Sequence, residues 1–164
     1  MASGIKSRLP FFMRAVIESL NGQFEKLDLR HRAILNMTDE EKLFWTPLPV
    51  ADSMITLSVG GSLLRSAAMV EQVFLGLTRR LWDDPFEWTL PEKLNTCAAI
   101  KDYLDEVSRT RIAGIDFIKS DADLARLVPA PEALKPIADV LVEALARASR
   151  HLGTAEAILK LNAS

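Results

Sequence analysis

The sequence has 164 residues, a formal charge of −2, 49% apolar and 26% charged residues, 7 glycines and 8 prolines. That length supports one domain, 1–164, with a core of its own, and the composition excludes a disordered chain. Near-neutral charge, with lysines and arginines scattered, excludes the basic footprint of a nucleic-acid or anionic-membrane binder.

Helical periodicity marks four long segments, and strand alternation marks none. Met13, Ile17, Leu20, Phe24, Leu27, His31 and Ile34 make one stripe, which predicts a helix from about Pro10 to Met37. Pro10, Arg14 and Glu18 interrupt any signal-peptide core, and no uncharged apolar run reaches roughly 18 residues. With Cys97 as the only cysteine, no intrachain disulfide can form, and a cytoplasmic protein is expected. "TDEE" at 38–41 reads as a capping box for a short helix through "KLFW", and "TPLP" then ends helical structure.

The second stripe, Gly60, Leu63, Ala67, Val70, Phe74, Leu77 and Leu81, predicts a helix from near Ser53 to "WDDP". It contains the adjacent glycines Gly60 and Gly61, each costing a helix interior about 1 kcal/mol relative to alanine. Close approach of a crossover is the favoured reason for them, and room for a ligand the other. Ile100, Leu104, Val107, Arg111, Gly114 and Ile118 form the third stripe, behind Asn95 or Thr96 as N-cap. Ile137, Leu141, Ala144, Ala148, His151, Ala155 and Ile158 form the fourth, begun by Pro136.

Each segment has an apolar stripe and a polar back, so none is expected to be a buried central helix. Four such helices define an all-α, four-helix bundle. The connections, roughly 38–52, 82–95 and 120–135, exceed the usual ~2–8 residues of helical hairpins, which predicts long crossovers and an irregular helix order.

"LNMTDEEKLFWTPLP" followed by "SVGGSLLRSAAMVEQVFLG", together with the closing "LARASRHLGTAEAIL", resembles the DinB/YfiT-like family. The resemblance covers most of the chain and implies a bundle whose interior end binds zinc or nickel through three histidines. One of these lies on the second helix and two lie four residues apart on the fourth. Known activities of the family are largely metal-dependent transfers involving small thiols, with some hydrolysis or isomerisation, and relatives commonly pair as homodimers.

Carried over residue by residue, the motif puts Ser66 at the second-helix histidine, Arg147 at the first histidine of the fourth helix and His151 at the second. Only His151 is retained. Arginine stays protonated and repels a divalent cation, so the family metal site is expected to be lost and no cofactor is expected. A rearranged zinc or nickel site would have to use His31, His151 and Glu71.

Taken singly, His31 and His151 fall on core stripes, where a histidine usually packs as a satisfied core residue. Arg147 and His151 could instead make a cationic pocket for a carboxylate or thiolate, unless Arg147 snorkels to water from the stripe's edge. Cys97 reads first as a packing residue, although a helix N-terminus could activate its thiol. Trp45, Trp82, Phe86 and Trp88 are expected to close the bundle ends, and "DYLDE" at 102–106 reads as a solvated face.

Three functions remain open at this stage. The first is a small-molecule binding or regulatory module for a small anionic or thiol-containing metabolite, built on Ser66, Arg147, His151, Glu71 and His31. The second is a metal-dependent transferase or hydrolase with altered ligands. The third is a structural homodimer joined through outer apolar residues such as Leu64, Val73 and Leu75. Neither nucleic acid nor membrane is an expected partner. Fold alone does not choose among the three.

Overall fold

The structure, a computed structural model, describes residues 12–47, 57–83 and 93–162. Its four long helices are α1 (Ala15–Asn36), α2 (Val59–Arg79), α3 (Cys97–Phe117) and α4 (Ile137–Asn162). The predicted stripes form its core. Every member of the third stripe is buried, and Ile17, Phe24, Leu27, His31 and Ile34 of the first are buried with it. Met13 and Leu81, the outermost members of two stripes, are instead exposed.

The packing order is not sequential. α2 packs most extensively on α4 and then on α3, and α1 packs on α4 and α3, whereas α1 and α2 touch little. Successive helices α1 and α2 therefore face each other across the core, as the long connections predicted. This arrangement overturns one expectation. Held between α3 and α4, α2 buries Leu64, Ala68 and Val73 in addition to its stripe, so it is the central helix that the sequence reading excluded. Two of the three residues proposed for a dimer face are thus core residues.

The helix ends show why each helix starts where it does. Ser58, in extended conformation, caps α2 by accepting from Gly61 N at 3.0 Å, and Gly60 N donates to the Leu43 carbonyl at 2.7 Å. The predicted start near Ser53 is corrected to Val59, with 51–56 outside the described residues. Gly60 and Gly61 consequently occupy the first turn, where two otherwise unpaired N–H groups find acceptors. A Cβ on Gly60 would sit 3.0 Å from the Leu43 carbonyl oxygen and 2.9 Å from the Phe44 ring, so close approach of the crossover is what requires glycine there.

Thr96 caps α3, accepting from Ala99 N at 3.1 Å. The capping box expected at 38–41 does not form. The Thr38 hydroxyl donates back to the Ile34 carbonyl at 2.7 Å, and Asp39 precedes a single 3-10 turn, Glu40–Lys42. α1 is capped from a distant part of the chain: Asp121 accepts from Val16 N and Ile17 N, both at 3.0 Å. A carboxylate at a helix N-terminus satisfies two N–H groups and opposes the helix dipole. Asp121→Ala is expected to lower stability by about 1–2 kcal/mol in denaturant titrations, and Asp121→Asn by less.

The chain between α3 and α4 contains a feature the sequence did not announce. Strands β1 (Leu127–Pro129) and β2 (Leu134–Pro136) pair antiparallel, Val128 opposite Lys135. Three-residue strands ending in proline are too short to alternate visibly. The hairpin delivers the chain to α4, with Ile137 N donating to the Arg126 carbonyl at 3.0 Å.

Candidate functional site

The five candidate residues do not gather into one site. Ser66 and His31 meet in the middle of the core, on helices that face each other diagonally. The His31 Nε2 to Ser66 Oγ separation is 2.7 Å, and Ser66 Oγ lies 2.8 Å from the Ala148 carbonyl of α4. A carbonyl only accepts, and a serine hydroxyl has one proton. Ser66 therefore donates to Ala148, and His31 carries its proton on Nε2 and donates to Ser66. Three helices are joined by this relay.

Burial sets the chemistry of the relay. Ser66 is 0% exposed and His31 2%. Burial pushes the His31 pKa down from 6.5 to about 4, opposed by Asp28 and aided by Arg30 and Arg32. At neutral pH the imidazole is uncharged, which suits a core position. A serine beside a histidine is also the arrangement of an activated nucleophile. Here the hydroxyl donates its proton to a helix carbonyl rather than to the imidazole, and the oxygen is closed to solvent, so no substrate can reach it.

Glu71 faces a different neighbour. It accepts from the Tyr103 hydroxyl at 2.7 Å, and its pKa is raised chiefly by burial, with Tyr103 acting against and Glu106 adding to the shift. Tyr103 and Leu104 are buried, so the 102–106 stretch is only partly the solvated face that was expected. His151 is half-buried, its pKa lowered by burial, then Arg150 and Arg65. Among the described residues, no three His, Cys, Asp or Glu side chains gather as a metal-binding group.

A metal centre of the kind the resemblance implies does not fit the residues at its positions. Ser66 has its proton and a lone pair engaged within the core, and Arg147 is a permanent cation. His31, His151 and Glu71 have separate surroundings. Cys97 is half-buried, its thiol 3.8 Å from the Thr38 carbonyl. Its pKa is raised by burial, then Glu40 and Asp39, which favours the packing role over an activated thiol.

Arg147 is exposed and lines a pocket of ≈ 80 Å³ between α2, α4 and the β1–β2 turn. Neither Ser66 nor His151 lines it. Met69, Val73, Val140 and Ala144 form its apolar wall, while Gln72, Trp82, Glu132, Lys135 and Glu143 supply polar groups. Lys135 pairs with both Glu143 oxygens at 2.9 Å. Gln72 Nε2 donates to the Trp82 carbonyl at 2.8 Å, and the indole lies over Gly76, where an added Cβ would collide with it. Trp82 Nε1 is buried and has no hydrogen-bond partner among the described residues.

Sequence reasoning placed Trp82 at a bundle end but did not join it to Arg147. That both line one pocket follows from the left-handed turn at Arg80 (φ 58°), where the chain leaves α2 and Trp82 folds back onto Gly76. Trp45 is exposed rather than packed as an end cap, and Phe86 and Trp88 lie outside the described residues.

The fold defines the class: among the described residues, a mostly helical protein of four long helices around one core, with a minor two-stranded hairpin. No family model and no curated protein sequence matches the chain. Among the described residues, no helix is long and apolar enough to cross a membrane.

Proposed function

We propose that the chain is a DinB-like bundle that has given up the three-histidine metal site and works as a small-molecule binding or regulatory module for a small anionic metabolite. The observation that carries this reading is the separation of two environments. The position of the second-helix ligand is filled by a closed hydrogen-bonded relay, Ser66 between His31 and Ala148. Arg147 stands instead at a pocket of ≈ 80 Å³ with an apolar wall. Convergent polar groups on an apolar cavity are the usual makings of a ligand site.

Two measurements on protein purified without an affinity tag test it. Metal analysis is expected to find only substoichiometric zinc and nickel, and thermal unfolding is expected to shift upward with a subset of anionic metabolites. One zinc or nickel per chain would favour the altered-ligand transferase or hydrolase. A stable dimer in light scattering, with no response to metabolites, would favour the structural reading.

A further inference from the structure

An open seam runs between α1 and α4 and carries two clefts. One, of ≈ 470 Å³, has Ala33, Ile34, Met37 and Leu159 as its apolar lining. The other, of ≈ 430 Å³, has Leu27, Val142, Leu145 and Ala146. Met37 is 64% exposed and Val142 54%, and Ala33 and Ala146 are exposed beside them. The outer face of a surface helix is ordinarily polar, and clefts walled by exposed apolar side chains mark a contact surface. The charges around them indicate what fits: Lys26, Arg30 and Lys160 line the clefts against Glu156 alone, on a chain whose overall charge is −2. A second copy would bring the same excess of cations, which disfavours pairing through this face. We propose that the α1–α4 seam docks an acidic amphipathic helix of another protein, with one apolar side chain in each cleft and carboxylates beside Lys26 and Lys160.

Spacing favours a helix as the occupant. Leu27 lines one cleft and Ile34 the other, two turns further along α1, a separation of about 10 Å. On a docked helix the same separation joins anchors two turns apart, the usual pattern of helix-in-groove recognition. Arg30 lines both clefts and donates from Nε and Nη2 to Glu156 Oε1 across the seam, at 2.9 and 2.7 Å. A helix laid over this closed pair covers no uncompensated charge. The seam shares no lining residue with the pocket of Arg147, so this inference stands or falls separately from the metabolite reading.

Three helical peptides of equal length are titrated into ¹⁵N-labelled protein while backbone amide resonances are followed. The first has two leucines at the cleft spacing, flanked by glutamates. The second has lysines in place of the glutamates, and the third has alanines in place of the leucines. The first is expected to bind saturably at low ionic strength, moving amides of α1 around Ala33 and of α4 around Ala146, and to weaken as salt is added. The other two should bind weaker by roughly tenfold or more. Ala33→Glu and Ala146→Glu each put bulk and negative charge into one cleft at an exposed position, and each should weaken the first peptide by a similar factor with the remaining amide spectrum unchanged. No saturable binding of the first peptide, equally tight binding of the lysine peptide, shifts outside the two helices, or undiminished binding by either variant overturns the proposal. Self-association that moves the same amides without peptide would assign the seam to a second copy and overturn it as well.

Discussion

Acidification from pH 7 to pH 4 is expected to remove most of the roughly 3 kcal/mol that His31 contributes through its pKa of about 4, against 6.5 unperturbed. The sign follows from which state binds the proton. The folded imidazole resists protonation because it is buried, with Arg30 and Arg32 adding to the effect, so the unfolded chain protonates first. Stability is fully present above pH 6.5, falls through the window between 6.5 and about 4, and has lost the full contribution only below the lower value. Carboxylates titrate in part of the same range, so the comparison is with His31→Leu. The wild-type advantage over that variant is expected to shrink by roughly 3 kcal/mol across the window in urea titrations. Parallel stability curves would show that His31 is not held neutral by the fold.

Gly114→Ala is expected to destabilise the protein by about 2 kcal/mol, although the same change ordinarily favours a helix. Gly114 is buried in α3 against Phe74, and an added Cβ would collide with the Phe74 ring edge and lie 2.9 Å from the Phe74 Cβ. That Cβ is fixed to the α2 backbone. The ring is fully buried and packs edge-on against Phe24, with centroids 5.0 Å apart, so neither part can give without moving a second helix. Overpacking of this kind costs about 1–3 kcal/mol or more and outweighs a helix-propensity gain of about 1 kcal/mol. Gly153→Ala is the control, because nothing lies within 4 Å of its added Cβ. It is expected to stabilise by about 1 kcal/mol. Opposite shifts in melting temperature check the pair, and a Gly114→Ala variant as stable as wild type contradicts the packing described.

The helices were legible because their stripes are long and nearly unbroken. The α3 cap, legible as Asn95 or Thr96 and found at Thr96, and Pro136 before α4 were legible for the same local reason: a cap or a first-turn proline acts within a few residues. What sequence could not supply were contacts between distant segments. Asp121 caps α1 from more than a hundred residues away, and nothing near either partner announces it. Leu64 and Val73 read as outer residues because a stripe identifies one buried face, whereas α2 is covered on two sides by α3 and α4.

The candidate residues were legible one at a time, but their grouping was not. His31 and Ser66 lie on inward faces of α1 and α2, which was the available signal for pairing them. The family pattern instead grouped Ser66 with Arg147 and His151, because it matches positions along helices and not the environment each side chain enters. A serine at an inward position is a small, uncharged group that the core can absorb, provided both its proton and its lone pair find partners. His31 and the Ala148 carbonyl supply those partners.

Imidazole ¹⁵N NMR at neutral pH, before and after one equivalent of zinc, tests the closed relay most directly. The expected spectrum shows His31 as the neutral Nε2–H tautomer, with a resonance that zinc leaves unchanged. A His31 protonated on Nδ1 would contradict the relay, and a His31 signal that shifts together with that of His151 at one equivalent would mean that the bundle interior holds a metal site.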